Sequence, residues 1–95
     1  MARRQRRRNA WTMSHTSSLE ALLGMPRAAL LRALDRPATA GELAARLSLA
    51  PSGINHHMQV LEPAGLVMRE RRGQYVSVHR TPRGSRLVEL FSPSA

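Results

Sequence analysis

The ten residues SGINHHMQVL, positions 52–61, hold the side chains best equipped to do chemistry. His56 and His57 stand side by side between Asn55 and Met58, with Ser52 and Gln59 close by. Imidazoles can hold metal, move protons or make hydrogen bonds, and spacing selects among these. Neighbours on a helix point about 100° apart, so His56 and His57 are poorly placed to grip one ion, which a pair four residues apart could do. Asn and Gln can bond an adenine edge bidentately, Ser is permissive, and a neutral imidazole gives or accepts one bond. The mixture suits a surface that reads a nucleic-acid groove.

Such a surface needs a helix to carry it. Ile54, Met58 and Leu61 fall at i, i+4 and i+7, which predicts a helix with those three turned inward and Ser52, Asn55, His56 and Gln59 turned outward. Gly53 would let another backbone come close. His57, three after Ile54 and four before Leu61, is expected to be partly buried and hydrogen-bonded. Pro51 suits the first helical position, and Pro63 should stop the helix near Leu61 or Glu62. Upstream, Thr39 and Glu42 have the spacing of a capping box, opening a helix through Leu43, Ala44 and Leu47. Ser48-Leu49-Ala50 makes the turn between the two helices.

Two more helices are expected before this pair. One follows Ser18, a candidate N-cap, with Leu19, Leu22 and Leu23 on one face. The next starts at Pro26, carries Ala29, Leu30, Ala33 and Leu34, and ends by Arg36-Pro37. After Gly65, which closes a corner, LVMRERRGQYVSVHR reads as two strands around a basic turn near Arg71-Arg72-Gly73-Gln74. Val67 alternates with Met68, and Val76 and Val78 share a face. Thr81-Pro82 is a cap and first helical residue for a last helix with Leu87, Leu90 and Phe91.

Charge is unevenly placed. All 15 basic residues are Arg, and the net charge is +9. Five of the arginines crowd into residues 1–17, which contain no acid, and six lie in residues 66–95 against Glu70 and Glu89. Polyanions are the natural partners of such patches, nucleic acid first. Residues 1–17 lack apolar periodicity and are expected to form a flexible Arg-rich arm, with Met13 a second possible start; residues 18–91 form the one domain and 92–95 a tail. Trp11 is given no role, and His15 and His79 are taken as surface residues. Cysteine is absent, which removes disulfides and thiolate metal sites. No apolar run reaches the ~18–20 residues of a membrane span and no secretory signal opens the chain, so a soluble, cytoplasmic protein without membrane contact is expected.

From Gly41 to Gly84, the run GELAARLSLAPSGINHHMQVLEPAGLVMRERRGQYVSVHRTPRG resembles the ArsR-type transcriptional regulators. The resemblance lies in the helix ELAARL, in NHHM followed by QVLEPAGLV, in the strands around RRGQ, and in TPRG at the final helix. It implies a mainly α fold with a β-hairpin wing, a dimeric winged helix-turn-helix that binds operator DNA, commonly as a repressor released by an effector. Carried over by position, it implies DNA contacts from Ser52, Gly53, Asn55, His56 and Gln59, and from Arg71, Arg72 and Gln74 on the wing. It also implies a homodimer through Leu19, Leu22 and Leu23 with Leu87, Leu90 and Phe91. Metal-sensing relatives place cysteine ligands where this chain has Thr39, Gly41 and Ala44, or acidic and His ligands on the last helix, where only Glu89 could serve. No metal site, cofactor or catalytic residue is therefore expected.

The elements agree with the resemblance. Two short helices joined by a tight turn, followed by a hairpin with arginines at its tip, make a winged helix-turn-helix whose second helix enters a major groove. A double-stranded DNA partner is expected for helix 51–62 and for the wing, residues 66–80. No nucleophile motif, glycine-rich phosphate cradle or close acid pair argues for an enzyme. The competing functions are nucleic-acid binding by charge alone and protein recognition through the same surface.

Overall fold

The computed structural model describes residues 18–92, so the arm expected over 1–17 and the tail after Ser92 lie outside the described residues. The chain runs α1 (18–23), α2 (Met25–Ala33), β1 (Ala38–Thr39), α3 (Ala40–Leu47), α4 (Pro51–Leu61), β2 (Val67–Arg72), β3 (Tyr75–Arg80) and α5 (Pro82–Leu90). The strands form one antiparallel sheet in the order β1-β3-β2. This is a winged helix-turn-helix: α3 and α4 are the helix pair, and β2 and β3 the wing.

Local chemistry sets the helix ends. Gly24, at φ 89°, separates α1 from α2 in a conformation that disfavours a side chain, and Pro26 occupies the first turn of α2. At α3, Thr39 Oγ1 accepts from Glu42 N at 3.1 Å and Glu42 Oε1 accepts from Thr39 N at 3.0 Å, closing the expected capping box. The helix ends at Ser48, which adopts the left-handed conformation (φ 54°) and turns the chain toward α4. Pro51 opens α4, and the helix stops at Leu61, two residues before Pro63. Thr81 caps α5 by accepting from Gly84 N at 3.1 Å.

The core joins Leu19 of α1, Leu30 and Leu31 of α2, Leu43 of α3, Ile54, Met58 and Leu61 of α4, Val67 and Val78 of the sheet, and Val88 of α5. Burying one such side chain contributes about 1.5–3 kcal/mol, so the three from α4 are enough to fix which way that helix faces.

Four expectations change. Ser18 is itself helical, so it is not the flanking cap of α1. In α2 the fully buried positions are Ala28, Leu30 and Leu31, where Ala29 and Ala33 were expected alongside Leu30, and the helix ends at Ala33 with Leu34 buried after it. The sheet has a third strand: β1 pairs Ala38 with Val78 and Thr39 with Ser77. Finally, His79 is half-buried, its Nε2 lying 3.2 Å from Glu70 Oε2 outside hydrogen-bond geometry.

Candidate nucleic-acid interface

The α4 helix divides as its spacing requires. Ile54, Met58 and Leu61 are 0–1% exposed, whereas Ser52, Asn55, His56 and Gln59 face solvent. Val60 is exposed on the same side, an apolar neighbour that the polar pattern did not bring out. Half-buried Gly53 has open space where a Cβ would stand, so nothing within the chain demands glycine there. Ala50 caps the helix with extended backbone but no side-chain hydrogen bond, and no acid lies in the first turn. The N-terminal amides of α4 thus meet neither a capping side chain nor a first-turn carboxylate, a polarity that favours anions nearby.

His57 flanks this surface rather than belonging to it. Its Nδ1 accepts a hydrogen bond from Arg27 Nε of α2 at 3.2 Å, and its ring meets that of His56 edge to face at a centroid distance of 5.4 Å. Burial, then the Arg27 charge, then His56 hold the His57 imidazole below its ordinary 6.5, all favouring the neutral ring. The partly buried, hydrogen-bonded histidine expected here is what the structure contains.

The wing carries Arg71, Arg72 and Gln74, all exposed, around the two-residue loop Gly73-Gln74. Gly73 takes φ 58° at the first loop position, which suits a tight hairpin between right-twisted strands. Because β2 alternates, Arg71 and Arg72 point to opposite faces of the wing. Arg71 shares its face with Val67, while Arg72 shares its face with Glu70, whose Oε1 lies 3.3 Å from Arg72 Nε. At the base of the wing, Arg69 Nε donates to Glu62 Oε1 at 2.8 Å, tying the hairpin to the end of α4.

Three further arginines, Arg80, Arg83 and Arg86, lie at the end of β3 and in the first half of α5, and two of them are tied to the body of the chain. Arg80 gives Nη1 to the carbonyl of Leu31 at 2.9 Å and Nε to Ser85 Oγ at 3.1 Å, bracing α2 against α5. Arg83 Nη1 donates to the carbonyl of Ala64 at 3.0 Å, which leaves Arg86 exposed. The carbonyls of Leu31, near the end of α2, and of Ala64, in the corner after α4, hold these side chains against the body.

Among the residues expected at a dimer surface, Leu19 is 0% exposed and is consumed by the core of its own chain. Leu22 and Leu90 are 65% and 70% exposed, while Leu23, Leu87 and Phe91 pack partly against the core. Among the described residues no three acidic or His side chains gather as a metal site, and no helix is long and apolar enough to cross a membrane.

A family model described as a helix-turn-helix domain matches residues 25–70, from α2 into β2. No curated protein sequence matches. Solved structures do. RV1404 from Mycobacterium tuberculosis aligns at TM-score 0.74 and 20% identity, over 95% of this chain and 65% of its own. The transcriptional regulator BldR from Sulfolobus solfataricus aligns at 0.69 and 27%, over 95% of this chain and 70% of its own. Lactococcus lactis ZitR, solved in complex with DNA, aligns at 0.64 and 16%, over 70% of this chain and 48% of its own. Proteins described as MarR family share the fold as well. The chain thus spans between about half and 70% of the length of these structures.

Proposed function

We propose that this chain is a cytoplasmic, sequence-specific DNA-binding transcriptional regulator that acts as a homodimer and represses until an effector releases it. What carries the DNA-binding part is the division of α4: three apolar residues locked in the core behind Ser52, Asn55, His56 and Gln59, all open to solvent and all able to bond base edges. These residues, with Gly53 allowing close approach, read the major groove. Arg71, Arg72 and Gln74 lie on flanking backbone or minor groove, where phosphate contacts position without specifying. The helix-turn-helix match, the regulator BldR and the DNA-bound ZitR support the same function.

Repression, effector release and the ArsR type are supported by the sequence resemblance, which runs from Gly41 to Gly84. The solved structures described by family above are MarR family, and none of those named is described as ArsR type, so the ArsR reading rests on the sequence resemblance alone. For the dimer, exposed Leu22 and Leu90 with half-buried Leu23, Leu87 and Phe91 supply the apolar contact, and Leu19 supports it from beneath. Two recognition helices then meet half-sites ~34–36 Å apart.

The test is selection from a randomised duplex pool, followed by anisotropy titration of the enriched and a scrambled duplex across a salt series. A preference kept at ~200 mM salt supports base reading. If both duplexes weaken together along one steep line, charge alone binds. Light scattering of the free protein at micromolar concentration tests the dimer, and a monomer on and off DNA contradicts it.

A further inference from the structure

Arg27 and His57 hold each other across the contact between α2 and α4, and the function above uses neither. The bond from Arg27 Nε to His57 Nδ1 makes that ring nitrogen the acceptor, so the neutral ring carries its proton on Nε2. The guanidinium is held, among the described residues, by its Nε alone. Among the described residues its two Nη groups meet no acceptor, nor does His57 Nε2, and no carboxylate pairs with either side chain. The chain therefore keeps a permanent cation and a polarised N–H side by side, half-buried, next to the helix that carries the groove-reading surface.

Arg80 and Arg83 show what this fold does with an arginine it uses internally: both send Nη1 to a backbone carbonyl. Arg27 does not. Its planar fork is left with the geometry that matches a phosphate bidentately, and holding the side chain by Nε reduces the freedom lost when the fork closes on a ligand. Resting on the DNA-binding function above, we propose that Arg27 and His57 bind the phosphodiester backbone of DNA, Arg27 giving its Nη fork to one phosphate and His57 its Nε2–H, on the far side of the ring, to a neighbouring one. His57 is also the positioning residue for Arg27, holding the fork through Nδ1.

One neutralised phosphate contributes about 0.9 to the slope of log K against log salt, a factor of about eight at 0.1 M. Arg27→Gln is thus expected to weaken binding about eightfold at 0.1 M salt, equally on the enriched and the scrambled duplex, and to flatten the slope by about 0.9. Arg27→Lys keeps most of the slope, because an ammonium still displaces a counterion. His57→Leu weakens binding too, and the two losses combine to less than their sum, because part of the effect of His57 runs through Arg27. Circular dichroism melts confirm that each variant is folded; if Arg27→Gln is not, His57→Leu and Arg27→Lys carry the comparison.

An unchanged salt slope in Arg27→Gln on both duplexes overturns the site. So does a loss confined to the enriched duplex, which would make Arg27 a base contact, or an unchanged affinity in His57→Leu. Failure of the broader function looks different. If the pool yields no preferred sequence while Arg27→Gln still flattens the slope, sequence reading falls and the phosphate site stands. A firm preference with an unaltered slope does the reverse.

Discussion

Gly84 lies so close to the carbonyl of Leu66 that a Cβ on residue 84 would overlap the oxygen. The same carbonyl accepts from Thr81 N at 3.1 Å, so the first turn of α5 is pressed against the chain entering β2. Gly84→Ala must push the two apart and is expected to cost about 1–3 kcal/mol. Urea denaturation of the variant measures this, and an unchanged midpoint contradicts it.

The capping box makes a separate claim. Thr39→Ala removes the oxygen that accepts from Glu42 N and should cost about 1 kcal/mol. Glu42 is held below its ordinary 4.5, first by the backbone N–H of Thr39 and then by the Thr39 side chain, with burial opposing them and Arg46 adding the least. A carboxylate with a lowered folded pKa adds stability that is present above 4.5 and lost as pH falls through the folded value. Glu42→Gln should therefore flatten the stability profile below pH 4.5, and an unaltered acid limb would show the box does not act.

His57 sets a second window. Its folded pKa lies below 6.5, so the neutral form is favoured by folding, the unfolded chain binds more protons, and the stability involved is present above 6.5 and lost as pH falls below it. Chemical denaturation of wild type and His57→Leu between pH 7.5 and 5 separates this from other groups. The wild type should lose stability across about pH 6.5 downward while the variant stays flatter; parallel profiles would contradict the Arg27 bond to a neutral ring.

Much of this was legible along the chain because it rests on neighbours in sequence. Thr39 and Glu42 are three apart, Pro51 and Pro63 bracket α4, and Ile54, Met58 and Leu61 fix its face by spacing alone. The wing strands follow from alternation around Gly73. The rest depends on partners distant in sequence. β1 is two residues long, too short for any period, and exists because Ala38 and Thr39 pair with Val78 and Ser77. In α2, Ala28, Ala29 and Ala33 read alike as apolar positions, so contact with α3 and the other helices, not pattern, decides that Ala28 and Leu31 are the buried ones. Arg80 and Arg83 look like surface charge until the carbonyls of Leu31 and Ala64 are in place. Leu19 shares its stripe with Leu22, but only the fold shows that one is core and the other is open.

The uncapped start of α4 gives a stabilising substitution. Ala50 already has the extended backbone of an N-cap residue and lacks only an oxygen. Ala50→Ser should add roughly 0.5–1 kcal/mol by accepting an N–H of the first turn. Thermal unfolding of the variant checks this; a lower midpoint would mean that serine does not turn its hydroxyl to the helix.

The measurement that tests base reading most directly is His56→Ala against Arg71→Ala on the enriched and scrambled duplexes, in parallel titrations at one salt concentration. His56→Ala should lose about 1–3 kcal/mol on the enriched duplex and little on the scrambled one, relaxing preference at one base pair, while Arg71→Ala weakens both alike. Equal losses on both duplexes for His56→Ala would contradict the account, leaving α4 as scaffold and the arginines as the whole of the interaction.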